Sequence, residues 1–241
     1  MLIPFLYVKN VRYYQGKKIF SYLLNELIPI LSLVYLVNKT VPLDFFYLWV
    51  AFWALYEVGY LMNDTYSSKF DSLDDKNKYK EIGTIATVNI LIILIFRISI
   101  FLFITNFLLD GAESVDTSLF VIYLLMTMIA FFIHNIIYDK KYRLITISIL
   151  GYSRYLIIPL ALGVELSVSF LLVTPLVIIK LIDYSYEKFN SNVDIRNETL
   201  LRIIFYLIFF IPVYYMTENI SYFFFFLPMI IFCVLKRFNN E

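Results

Sequence analysis

Long apolar runs interrupted by short polar ones set the pattern of this chain. A helix that crosses a bilayer needs about 20 mostly apolar residues. Eight segments meet or approach that length: Ile19–Val37, Leu43–Met62, Thr84–Leu109, Ser118–Tyr138, Leu144–Gly163, Leu166–Leu181, Leu200–Met216 and Ile220–Leu235. The pattern predicts an all-α fold, a polytopic integral membrane bundle of about eight transmembrane helices forming a single transmembrane domain over residues 1–241. The fourth and fifth segments are parted only by Asp139–Arg143, the fifth and sixth by Gly163–Glu165, and the seventh and eighth by Thr217–Asn219. Residues 1–18 mix Leu, Ile, Phe and Tyr with four basic residues. They are expected either to lie in the membrane interface as an amphipathic helix or to form a basic N-terminus that sets topology.

Composition agrees with the pattern. Hydrophobic residues make up 61% of the 241 residues and aromatics 20%, and the mean hydropathy is +0.77. A soluble domain of this length cannot hide so much apolar surface, so the lipid bilayer is the expected solvent and partner. A net charge of +1 argues against nucleic acid as a partner, since that would call for a basic surface. The one cysteine, Cys233, cannot pair within the chain, and with His134 the only histidine no Cys/His metal cluster can form. No cleaved signal peptide is expected, because Met1–Val8 is short and no small-residue cleavage site follows.

Charge predicts the orientation. Cytoplasmic loops carry an excess of Lys and Arg. Sixteen basic residues fall in the N-terminal segment, in the loops after the second, fourth and sixth segments, and at the C-terminus, against Lys39 alone on the other side. That alternation fits an even number of spans with both termini and the charged loops in the cytoplasm.

Polar chemistry concentrates on that same face. Asn63, Asp64 and Asp71 follow the second segment, Lys140 and Lys141 the fourth, and Asp183 and Glu187 the sixth. Asp64 and Asp71 are seven residues apart and Asp183 and Glu187 four apart, so each pair shares a face if the helix continues. Paired carboxylates with an amide suit Mg²⁺, an octahedral oxygen-seeking ion that often bridges carboxylates and phosphates. Nearby Lys and Arg would neutralise the remaining phosphate charge. Each cluster also has a plainer reading, as helix caps, solvated loop residues or topology signals.

A few ionisable residues lie deeper. Glu26, Glu57, Arg97 and Arg154 fall inside the predicted spans and Lys180 near the end of one. Such groups are costly in hydrocarbon and face the protein interior or a wet cavity. Arg97 is expected either in a buried ion pair with Glu26 or Glu57 or in a catalytic role. Glu57, two turns before Asp64, is expected to face the same cavity as Asp64. Arg154 lies too deep for a phosphate held by Lys140 and Lys141, and His134 reads as a helix-packing residue rather than a general base.

The run Asn63-Asp64-x-x-Ser67-x-x-x-Asp71 resembles the first Asp-rich motif of the UbiA-type prenyltransferase superfamily, Asn-Asp-x-x-Asp-x-x-x-Asp, at the end of the second helix. Lys78 to Gly83 takes the place of the family's Arg-Pro…Gly stretch, Lys140-Lys141 precedes Gly151 at the spacing of its Lys-Arg pair, and Asp183-x-x-x-Glu187 resembles its second motif. Ser67 stands where the family has Asp, and the family usually has nine helices. The resemblance implies an enzyme that moves a polyprenyl group from its diphosphate to an acceptor the sequence does not identify. It implies Mg²⁺ held by Asn63, Asp64, Asp71, Asp183 and Glu187, and a diphosphate held by Asn63, Lys78, Lys140 and Lys141. Asp64, Asp71, Asp183 and Lys140 would then be catalytic. Two alternatives stand beside it: a catalytically degenerate UbiA-like protein that binds an isoprenoid or lipid, and a small transporter.

Overall fold

The computed structural model describes residues 4–5, 26–65, 87–112, 115–137, 139–189 and 199–238, without the side chains of 65, 87–89, 140, 187–188, 199, 232 and 235–238. The described residues form helices and no strands. The helices are α1 (Ile28–Asn38), α2 (Asp44–Thr65), α3 (Thr87–Gly111), α4 (Thr117–Ile136), α5 (Lys140–Ala161), α6 (Leu166–Phe189), α7 (Thr199–Thr217) and α8 (Phe223–Phe238), with a 3₁₀ turn at Ile220–Tyr222 before the last.

Each of the eight predicted segments contains or overlaps one helix. Six of them, α2 to α7, are long and apolar enough to cross a membrane, while the apolar stretches in α1 and α8 are shorter. The chain is therefore built as a multi-pass membrane protein. In α1 the described helix begins only at Ile28, whereas the predicted segment starts at Ile19, in residues outside the description.

Helix ends follow local chemistry. Asp116 caps α4 by accepting from the Leu119 N–H at 2.9 Å, and Asp139 caps α5 by accepting from the Lys141 N–H at 2.8 Å. The α5–α6 turn places Gly163 at φ +76°, a conformation that a side chain would strain. Pro159, Pro175, Pro212 and Pro228 lie inside helices, as neighbouring helices allow in a membrane bundle.

One continuous buried core draws on all eight helices. Helix α2 is its centre: 72% of its span is buried inside the protein, against 22% of α3 and 11% of α7. It packs against α3, α4 and α5, while α5 also holds α1, α4 and α6. Outward residues such as Phe103, Ile129 and Tyr215 are exposed and apolar, as suits contact with lipid rather than water. Gly59 permits the α2–α4 approach, because a methyl there would overlap the Phe131 ring.

Candidate functional site

Helical spacing brings four stripes to one cavity. Tyr56, Tyr60 and Asn63 lie at i, i+4 and i+7 on α2, and Val177, Lys180 and Tyr184 at i, i+3 and i+7 on α6. Gly151 and Arg154 come from α5, and Phe131 and His134 from α4. The space among them is about 240 Å³. Its lining residues come from the C-terminal halves of α2, α4 and α6 and from the middle of α5.

The wall is cationic and ordered. Glu26, just before α1, is 2% exposed. Its Oε1 accepts from Arg154 Nη1 at 2.7 Å and from Lys180 Nζ at 2.6 Å. The Arg154 guanidinium also donates to the Tyr56 hydroxyl from Nε at 3.2 Å and Nη2 at 3.0 Å, and to the Tyr60 hydroxyl. Tyr56 in turn donates to the Leu150 carbonyl at 3.3 Å. Lys180 Nζ stands 4.8 Å from the Tyr155 ring centre, within cation–π range. These bonds knit α2, α5 and α6 together behind the cavity.

His134 bridges α4 and α5 through Nδ1 and the Thr146 hydroxyl, 2.8 Å apart. The Thr146 hydroxyl donates to the Arg143 carbonyl at 2.9 Å. Its single proton is thus used, so Nδ1–H of His134 is the donor in the first bond and Nε2 is the nitrogen left for a ligand. The expected packing role holds, and the same residue lines the cavity.

A second buried ion pair lies on another face of α2. Arg97 of α3 pairs with Glu57, both side chains at 1% exposure or less. Arg97 thus takes one of its two expected partners. Glu57 does not line this cavity, and neither does Asp64, with which it is expected to share a face. Glu57, Leu61 and Asp64 follow one stripe at i, i+4 and i+7, and Leu61 packs with Ile93 of α3.

Comparison with protein-family models, curated proteins and solved structures gives no match.

What this end of the bundle can do follows from its own groups. Asn63 lines the cavity and donates its amide to Asp64 Oδ1 at 3.1 Å; Asp64 is buried on the adjoining α3-facing stripe. Asp183 accepts from Arg202 Nη2 of α7 at 3.1 and 3.3 Å, one turn beyond Lys180. Lys141 is exposed. Lys140 and Glu187 belong to α5 and α6, with side chains outside the described residues, and Asp71, Ser67 and Lys78 lie wholly outside them. Among the described residues no three His, Cys, Asp or Glu side chains converge to hold a metal ion. The described donors alone do not make a Mg²⁺ site, since Asp183 is already paired with a cation. The tyrosines and the Glu26–Arg154–Lys180 cluster were not assembled from the sequence. The signal was there, in the shared spacing of Tyr56, Tyr60 and Asn63, but nothing in it told which deep charges would meet.

A wider, shallower depression of about 550 Å³ near the α3–α4 and α5–α6 turns includes Asp116. That carboxylate is the α4 cap, so the depression offers no convergent chemistry.

Proposed function

We propose that the chain is a Mg²⁺-dependent intramembrane prenyltransferase that moves a polyprenyl group from its diphosphate to an acceptor. One observation carries the reading: Asn63, the first residue of the motif resembling that family, lines a cavity whose wall also bears Arg154 and Lys180. The reading counts all eight helices as spans, with both termini and the loops after α2, α4 and α6 in the cytoplasm, as the basic bias favours. In the reaction the allylic C–O bond ionises, diphosphate departs, the acceptor bonds to the allylic carbon, and the acceptor loses a proton. Cationic side chains at the cavity stabilise the negative charge that develops on the leaving group. The packed aromatic walls of Tyr56, Tyr60 and Phe131 keep water from the cation. When bound, Mg²⁺ would neutralise the diphosphate, with Asn63, Asp64, Asp71, Asp183 and Glu187 as its ligands.

The test is pyrophosphate release from polyprenyl diphosphates by purified protein in detergent, with an acceptor pool from a membrane extract. Asp64→Ala is expected to lose Mg²⁺-dependent turnover; near-normal turnover in that variant would remove the assignment.

The Asp183–Arg202 pair favours a second reading, a catalytically degenerate relative that binds an isoprenoid or lipid without transfer. Ser67 in the motif adds to it. If Ser67→Asp greatly raises Mg²⁺ affinity without conferring turnover, the second reading stands.

A further inference from the structure

The cavity cluster is not charge-balanced. Arg154 and Lys180 bring two positive charges to its wall, and Glu26 supplies one negative charge. Asp183, one turn beyond Lys180, also attracts that lysine but is itself paired with Arg202, so the count stays at one positive charge over. An uncompensated cation inside a membrane bundle is costly and calls for a partner. The two cations differ in what they have left to give. Arg154 makes four hydrogen bonds, to Glu26, Tyr56 twice and Tyr60, out of five N–H donors. Its planar fork is used and no longer free to clasp a carboxylate from two sides. Lys180 gives one hydrogen bond, to Glu26, out of three available. Its side chain is also the more open of the two, 33% exposed against 14%.

We propose that the cavity is a phosphate-binding site in which Lys180 is the contact cation and Arg154 and Glu26 are positioning residues. An ammonium point charge with spare donors suits a phosphate oxygen. His134 Nε2, the nitrogen left over at the cavity wall, is an acceptor for a hydroxyl of the ligand. A volume of about 240 Å³ takes a headgroup and not a lipid tail. The surplus positive charge favours an anionic ligand over a neutral one. The ligand is therefore a compact phosphate-bearing group, from a lipid headgroup or a soluble phosphate ester. The site itself needs neither Mg²⁺ nor the acidic motifs; equating its ligand with the diphosphate of a prenyl donor would rest on the prenyl-transfer reading.

The experiment uses the full chain in phosphate-free buffer without Mg²⁺. Melting temperature is followed against glycerol 3-phosphate, with glycerol as the neutral control, and in phosphatidylglycerol against phosphatidylcholine nanodiscs. A ligand that binds only the folded state raises the melting temperature. Stabilisation by glycerol 3-phosphate assigns a soluble ester, and stabilisation confined to phosphatidylglycerol assigns a lipid headgroup. In either arm Lys180→Met is expected to weaken the response by about tenfold or more, Lys180→Arg to keep most of it, and Lys39→Met, at an exposed position away from the cavity, to leave it unchanged. Lys180→Met leaves Glu26 and Arg154 as a balanced pair, so folded protein is expected. The wild-type chain gives an independent readout, protection of Lys180 from reductive methylation by whichever phosphate probe is active. A wild-type protein indifferent to both probes, a Lys180→Met protein that responds like wild type, or unprotected Lys180 would each overturn the proposal. Loss of prenyl diphosphate binding in Asp64→Asn with the glycerol 3-phosphate or phosphatidylglycerol response intact would separate this site from the motif site.

Discussion

Tyr56 and Glu57 are neighbours on α2, yet one faces a cavity and the other a sealed ion pair. Among the described residues Glu57 pairs with Arg97 and also accepts from the Phe5 N–H at 2.9 Å, and both charged side chains are shut away from solvent. Glu26, Arg154 and Lys180 are matched one to two and stand against an open space. Both clusters put charge inside an apolar bundle. The first sets opposite charges directly against each other and fastens α3 to α2. The second leaves a positive charge over and a volume in which to answer it. Burial of charge alone therefore does not mark a site in this molecule; imbalance beside a cavity does.

The largest expected effect falls on the sealed side. Arg97→Leu takes the Arg97 guanidinium away from the buried Glu57 carboxylate and is expected to cost about 3–5 kcal/mol in unfolding experiments in mixed micelles. The double change Glu57→Leu with Arg97→Leu should recover most of that loss. If it does not, the pair does more than balance charge.

Next comes the α2–α4 wall. Gly59→Ala drives a methyl into the Phe131 ring, an overpacking expected to cost about 1–3 kcal/mol. Thermal denaturation should show the loss, and Phe131→Leu added to it should relieve part. The cavity-side cluster should answer more gently. Lys180→Met, at a partly exposed position, is expected to shift stability by about 1 kcal/mol or less in the same assay. A loss as large as that of Arg97→Leu would erase the contrast between the two clusters. The smallest change is expected from Asp183→Asn, which loosens a half-open pair with Arg202 by about 0–1 kcal/mol. On the prenyltransferase reading its effect on Mg²⁺-dependent turnover should far exceed its effect on the melting curve.

Much of the architecture was legible because lipid imposes a simple rule: long apolar runs must be helices. The helix positions followed from that, and even the α5 start was marked by Asp139, whose side chain caps it. The length rule said less about α1 and α8, whose described apolar stretches are short. The site was only half legible. The sequence marked Asn63 as a candidate Mg²⁺ and diphosphate ligand, and the structure puts it on a cavity wall, which leaves the ligand role a proposal. It also joined Glu57 to Asp64's cavity, because residues seven apart share a face; that face turned out to look toward α3. Which partner helix lies on each side of α2 is a tertiary fact that periodicity does not carry. The meeting of Glu26, Arg154 and Lys180, from positions 128 and 154 residues apart in the chain, is the same kind of fact.

The measurement that most directly tests enzymatic function is thermal stability of the purified, detergent-solubilised protein with a series of prenyl diphosphates, with and without Mg²⁺. The prenyltransferase reading predicts a rise in melting temperature that requires both the diphosphate and the metal and that disappears in Asp64→Asn. No rise with any chain length, in protein shown to be folded, would contradict it.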